Sequence, residues 1–342
     1  MNDTDFAQRP PATGLAAVPT EVTTAIAAAS RFRWAAAALV VWLGLTAAFP
    51  ALAADGDQGR PARTNLITIG IGPGIFVGVN HDDAAAGIKI WAKAVLNQPE
   101  NLTEVETHVY ETPEAVCTAL KDGQIDAATV RTGEFVDLPP ELQPDTVFLQ
   151  TQNHAFTLNY VLLVHQDAGI DDVAKLAGRS LVWHASSRTS LALPWLETLM
   201  AKACLGPAEK VLGTLTSSEN PSKPILEVFF HGADACLVTS NAFVLACELN
   251  PQLGKQLKVL AISPAVVPTL FFFRPGHMTQ MRSQMESAIL TMNKTSAGRE
   301  VLTVFQSDGM MKCQLDCLDS TRRLLKEYDR ARHQKPGSTA PP

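Results

Sequence analysis

From residue 66 onward, short apolar runs alternate with stretches in which apolar positions recur at helical spacing. Residues 66–71 read as a strand running into the turn Gly72-Pro73-Gly74, and residues 103–109 as a second strand. Between them the pattern predicts a helix over 84–96. Another helix is expected over 113–121, where Pro113 takes a first-turn position that has no intrahelical amide bond to lose. Gly123 ends it before a short strand over 126–130. This order of strands and helices predicts a layered α/β lobe.

A second lobe is expected to begin near Tyr160. Residues 160–165 and 180–183 are apolar strand candidates separated by a helical turn over 173–176. The pattern then predicts a helix over 191–204, an edge strand over 211–214, a helix over 224–230, a buried strand over 235–239 and a helix over 242–248. Residues 258–262 read as the strand that returns the chain to the first lobe. Helices are expected over 278–291, 296–305 and 315–332. Phe229, Phe230 and Phe271 to Phe273 are assigned to core or hinge packing, and Trp183 and Trp195 to the core. No internal sequence repeat is evident beyond the alternation itself.

Ahead of these elements, Arg31 and Arg33 precede an almost uninterrupted apolar stretch, residues 34–53, ending Ala51-Leu52-Ala53. A basic flank, an apolar core and a small-x-small end describe a secretory signal cleaved after Ala53. A stretch of about 20 apolar residues would also serve as a retained anchor. The expected organisation is a signal over 1–53, the first part of lobe 1 over 54–158 and lobe 2 over 159–262. A return to lobe 1 with C-terminal helices follows over 263–332, then a polar, disordered tail over 333–342. Export places the chain in the periplasm.

The chain carries 28 basic and 34 acidic residues, a net charge of −6. The leader holds Asp3, Asp5 and Glu21 against Arg9, Arg31 and Arg33, so its removal leaves that balance unchanged. Nothing resembles the concentrated basic face that nucleic acid requires. All six cysteines follow the leader, and an oxidising compartment permits disulfides, which are favoured here over a zinc site. Cys313 and Cys317, four apart, are expected to lie adjacent on one helix. No metal or cofactor is expected.

The chemistry concentrates in residues 183–194, where Ser186, Ser187, Arg188, Thr189 and Ser190 stand between an apolar strand and a helix. The first amides of a helix lack intrahelical acceptors and point outward with the positive end of the dipole. Hydroxyls and an arginine around such an end can seat a phosphate-like anion; they can also simply cap the helix. Residues 70–78, with glycines at 70, 72, 74 and 78, match neither the Gly-rich-Lys-Ser/Thr loop nor the Gly-x-Gly-x-x-Gly pattern of nucleotide sites. They read as a turn, with close ligand approach at the sheet edge as the alternative.

Several stretches together resemble the phosphate, phosphite and phosphonate substrate-binding proteins of ATP-driven importers. They are residues 116–127, Val-Cys-Thr-Ala-Leu-Lys-Asp-Gly-Gln-Ile-Asp-Ala, residues 167–179, the Ser/Thr-rich turn through Pro194, and residues 230–235, Phe-His-Gly-Ala-Asp-Ala. The resemblance covers roughly residues 65 to 310. It implies an α/β, two-lobed type II periplasmic solute-binding fold with a hinge and an interlobe ligand cleft. It also implies a non-enzymatic, monomeric receptor for a small anionic solute, phosphate- or phosphonate-like, with a membrane permease as partner.

Carried onto this sequence, the resemblance makes Ser187, Thr189 and Ser190 the leading ligand contacts, with Ser186 as a cap or further donor and Arg188 either a neutralising cation or a solvent-facing side chain. The facing wall would come from Ile75, Phe76, Thr129, Arg131 and Thr132, with a surface-loop role as the alternative for Arg131; the second lobe would add Thr239, Ser240 and Asn241, which alternatively cap the helix from Ala242. Residues 130–135 lack the family's usual Gly-Pro followed by an aromatic-rich helix start, which puts the usual ligand in question. Glu219 and Asp234 are weak candidates for a ligand amine. The alternatives are a receptor or sensory accessory protein for a carboxylate or aromatic solute, and a periplasmic hydrolase using Ser187 or Ser190 with His184. No Gly-x-Ser-x-Gly or Ser-x-x-Lys signal supports the hydrolase.

Overall fold

The computed structural model describes residues 63–77, 80–96, 101–276 and 279–333. The apolar leader, its expected cleavage point and the tail beyond His333 lie outside the described residues. The described residues form one compact unit containing two sheets.

In chain order, the first lobe is built from β1 (Arg63–Ile71), α1 (His81–Leu96), β2 (Asn101–Val109), α2 (Pro113–Lys121), β3 (Ala127–Arg131), the short α3 (Thr132–Val136) and β4 (Thr146–Thr151). The chain then crosses into β5 (Tyr160–His165), β6 (Ser180–His184), α4 (Ala192–Lys202), α5 (Ala208–Val211) and β7 (Thr214–Ser218). The same lobe continues through α6 (Ser222–Phe229), β8 (Ala235–Thr239), α7 (Ser240–Leu249), α8 (Pro251–Gln256) and β9 (Leu257–Ile262). It returns as β10 (Thr269–Phe273), followed by α9 (Thr279–Leu290), α10 (Ser296–Val304), β11 (Gly309–Gln314) and α11 (Asp319–His333).

The strand orders are β11-β4-β10-β3-β1-β2 and β7-β6-β8-β5-β9. Without β11 the two sheets share one plan. Three parallel strands stand beside an antiparallel strand that has just crossed from the other lobe, and an edge strand follows. Every residue of β5, Tyr160-Val161-Leu162-Leu163-Val164-His165, is buried, as expected of a strand covered on both faces. Local signals set the element ends. Thr112 caps α2 through the Ala115 amide (3.2 Å), and Gly123 closes the turn after it at φ 70°.

The two crossings are tied to each other. Leu158 and Val266 exchange both backbone hydrogen bonds, at 3.0 and 2.8 Å, and the Ser263 hydroxyl accepts the Tyr160 amide at 2.8 Å. The outward crossing opens with a tight turn in which Asn153 and His154 both have positive φ, the backbone of a two-residue hairpin connection. The Asp308 carboxylate holds this turn through the Thr151 hydroxyl and the His154 amide.

α11 makes a third link. The turn before it buries Leu318 in the first lobe's core, and the Thr321 hydroxyl accepts the Val267 amide at 2.9 Å. Farther along, Leu324 enters the second lobe's core against α4, and Lys202 pairs with Glu327 at 2.6 Å.

Several sequence expectations need correction. Residues 258–262 do not return the chain: β9 stays at the edge of the second sheet, and β10, an unassigned strand containing the Phe271 to Phe273 run, makes the return. β4 and β11 were also unassigned. Val211 closes a short helix after Pro207, and β7 starts only at Thr214, after Gly213, where an added Cβ would meet the Gly178 carbonyl. Phe230 is 70 % exposed rather than packed. All six cysteines are free, so the expected disulfide is not formed. Cys313 lies on β11 and Cys317 in the following turn, not on one helix. Burial, then the hydrogen bond with Cys313, pushes the Cys317 thiol up to about 12.

No helix among the described residues is long and apolar enough to cross a membrane. If α11 is part of the second lobe's core, Leu324→Ala will lower the unfolding free energy by about 2–4 kcal/mol in urea titration. A loss below about 0.5 kcal/mol would show that α11 only rests on the surface.

Candidate functional site

The hydroxyl-rich segment folds as a turn of its own. The Ala185 amide donates to the Ser218 carbonyl at 2.9 Å, prolonging the pairing of β6 with β7. Ser186 is extended and caps a single 3-10 turn, Ser187–Thr189, and α4 begins only at Ala192. The amides nearest the cleft therefore belong to this turn and not to the following helix. Thr189 is 1 % exposed, and its hydroxyl accepts the Ser186 amide at 2.8 Å while lying 3.0 Å from the Ser186 carbonyl. The Ser190 hydroxyl donates to the Pro268 carbonyl at 3.1 Å. These two hydroxyls build the turn and fix it to the return crossing. The Ser187 hydroxyl makes no hydrogen bond among the described residues and lines the cleft.

Arg188 is mostly buried at the centre of this arrangement. Its Nη2 donates to Gln152 Oε1 at 2.8 Å, and its carbonyl accepts the Tyr160 hydroxyl at 2.9 Å. Gln152, on the outward crossing, also accepts from Asn241 Nδ2 at 3.0 Å. Burial pulls the guanidinium below its ordinary pKa, opposed by the fields of Tyr160 and Asp308. A guanidinium nevertheless stays charged in proteins. Among the described residues no carboxylate lies within ion-pair distance of it.

The cleft in front of this turn has about 560 Å³ of free space, including the part open to solvent. Ser186, Ser187, Arg188, His184 and Glu219 form one wall; Ile75, Thr129, Gln150, Thr269, Phe305 and Gln306 face them from the first lobe. Burial lowers the pKa of His184, and its Nδ1 is buried without a partner. Beside the first-lobe wall lies an apolar cavity with Phe76 in its lining. Phe76 stacks on Phe305 with ring centroids 6.3 Å apart.

The structure does not bring the remaining candidates into the cleft. Arg131 pairs with Glu134 at 2.6 Å, and the Glu134 carboxylate also accepts the Arg131 amide at 3.2 Å at the start of α3. Thr132 is fully buried, and its amide donates to the Pro268 carbonyl at 2.9 Å. Thr239 caps α7 through the Ala242 amide, and the Ser240 amide donates to the Asn159 carbonyl. Asp234, just before β8, accepts from the amide and hydroxyl of Ser180 at the start of β6. Among the described residues no cluster of three or more His, Cys, Asp or Glu side chains is placed to hold a metal ion.

Two α/β lobes around a cleft, one wall of which presents a buried cation and a hydroxyl turn, agree with a match found over residues 96–316. The matching family model is described as ABC transporter, phosphonate, periplasmic substrate-binding protein. The chain belongs to this family. Its fold is the type II periplasmic binding fold. A binding protein component of an ABC phosphonate transporter from Pseudomonas aeruginosa is 16 % identical, with a TM-score of 0.52 and coverage of 78 % of this chain and 88 % of that one. PhnD1 from Prochlorococcus marinus, solved with methylphosphonate, is 14 % identical with a TM-score of 0.53, covering 78 % and 99 %. XAC2383 from Xanthomonas citri, solved with ATP, is 13 % identical with a TM-score of 0.57, covering 78 % and 98 %. No curated protein matches the chain.

Sequence reasoning missed Gln150, Gln152, Thr269, Phe305 and Gln306. All lie on crossings, strand ends or a helix end, where no motif marks them. For Arg131, by contrast, Glu134 three residues later was a readable pairing signal. The Thr189 cap gives a direct check: Thr189→Ala should reduce stability by about 1 kcal/mol, measured by chemical denaturation. Unchanged stability together with a lost ligand contact would make Thr189 a binding residue instead of a scaffold for the turn.

Proposed function

We propose that the protein captures a small phosphorus oxyanion, phosphonate or phosphate, between its lobes and delivers it to the membrane permease of an ATP-driven importer. Family membership supports the transport role, and the apolar leader supports action in the periplasm. The observation that carries the ligand class is Arg188, a mostly buried cation whose bonded partner is the neutral Gln152. A buried charge left unpaired is costly. An oxyanion in the cleft would supply the missing countercharge, with the Ser187 hydroxyl and the turn as further donors. Methylphosphonate and ATP, held by two proteins of like fold, both present phosphorus oxyanions.

Ligand contacts reaching both walls favour the closed arrangement of the lobes, so binding shifts the population toward the state a permease recognises. The protein acts as a monomeric receptor without turnover. Thr189 and Ser190 have their hydroxyls committed to backbone partners, and no hydroxyl is hydrogen-bonded to His184 among the described residues.

Charge-assisted hydrogen bonds contribute about 1.5–3 kcal/mol each, so Arg188→Met should weaken methylphosphonate binding on the order of a hundredfold. Arg188→Lys should recover part of that loss, because it restores the charge without the planar fork. Calorimetry on the purified protein measures both. Wild-type affinity in Arg188→Met would remove Arg188 from the site.

A further inference from the structure

The cleft and the apolar cavity adjoin each other. Five residues line both: Ile75, Thr129, Gln150, Thr269 and Phe305. The polar side chains bordering the cavity are Thr129, Gln150 and Thr269, all in this shared lining. The rest of the lining is entirely apolar, including Ile88, Phe148, Met285 and Leu302. No acidic side chain lines the cavity among the described residues, and Glu219 stands on the opposite wall of the cleft.

Protein cores are close-packed, with few voids larger than a water molecule. A cavity lined by Ile, Leu, Met and Phe gives water no hydrogen-bond partners and accepts apolar guests. Met285, Met292 and Met310 add side chains that reshape around a guest at low cost. The buried cation and the hydroxyl turn lie on one side of the shared lining, and the apolar cavity lies on the other. A ligand spanning both would be charged at one end and apolar at the other.

We infer that the ligand is an amphiphilic phosphorus oxyanion, an organophosphonate or phosphate monoester whose head meets Arg188 and whose apolar chain enters the first-lobe cavity. This rests on the oxyanion reading of the cleft and specifies the substituent. An aminoalkyl substituent is disfavoured, because the cavity offers its ammonium no partner.

The test is calorimetry of the purified protein with methyl-, butyl-, hexyl- and octylphosphonate, 2-aminoethylphosphonate and octanol. At the full transfer value, each methylene that enters the cavity raises affinity by about fourfold. Butylphosphonate should therefore bind at least about tenfold more tightly than methylphosphonate, with further gains to the hexyl compound. Val301→Phe, which adds bulk to the cavity lining, should keep methylphosphonate affinity and abolish the gain with chain length. The wild-type series decides the matter even if that variant does not fold.

Equal affinity for methyl- and octylphosphonate overturns the inference and leaves the oxyanion reading standing. Binding of 2-aminoethylphosphonate more tightly than butylphosphonate also overturns it. Octanol binding as tightly as octylphosphonate overturns it by removing the need for a charged head. Failure of every phosphonate to bind overturns both readings together.

Discussion

Each sheet is completed by a strand that arrives from the other lobe, and the placement of the site follows from this exchange. β5 enters the second sheet directly after the outward crossing, and β10 enters the first directly after the return. The crossings cannot drift apart, because Leu158 and Val266 pair and Ser263 holds Tyr160. The same segments hold residues beside the cleft. Pro268 accepts from Thr132 in the first lobe and Ser190 in the second, while Gln152 joins Arg188 to Asn241. The hinge thus also fixes the turn that presents the cation.

Within that frame the electrostatics are simple. Two arginines stand near the facing lobes, and their surroundings separate them. Arg131 is neutralised by Glu134, whose carboxyl is pushed up by burial and held back by Arg131 itself. Arg188 has a glutamine instead of a carboxylate and lies against the buried Tyr160. A protein that needed only a stable core would be better served by a hydrophobic side chain at this position. A charge beside an open cleft with no carboxylate at ion-pair distance accords with a diffusible anion as its partner.

Much of the fold was legible in the sequence. β5, α2 and β8 were located because their residues are continuously apolar or carry end signals such as Thr112, Pro113 and Gly123. β4, β10 and β11 were not, since their pairing partners are far away in sequence and Phe271 to Phe273 can read equally as packing. The likeness of the two sheets was invisible as a repeat, because the shared plan requires only a pattern of buried positions. The turn after β6 was legible as a place, but not the hydrogen bonds that build it. Thr189 turns its hydroxyl inward to make the cap, a direction that sequence spacing does not encode. Arg188 emerged as the informative residue once its burial and its neutral partner were known.

The most direct measurement is a crystal structure of the protein grown with an alkylphosphonate. The phosphonate oxygens should lie within hydrogen-bond distance of the Arg188 guanidinium and the Ser187 turn, with the lobes closed around them. An anion seated elsewhere, or one in the cleft while Arg188 remains bonded only to Gln152, would rule out Arg188 as the anion seat.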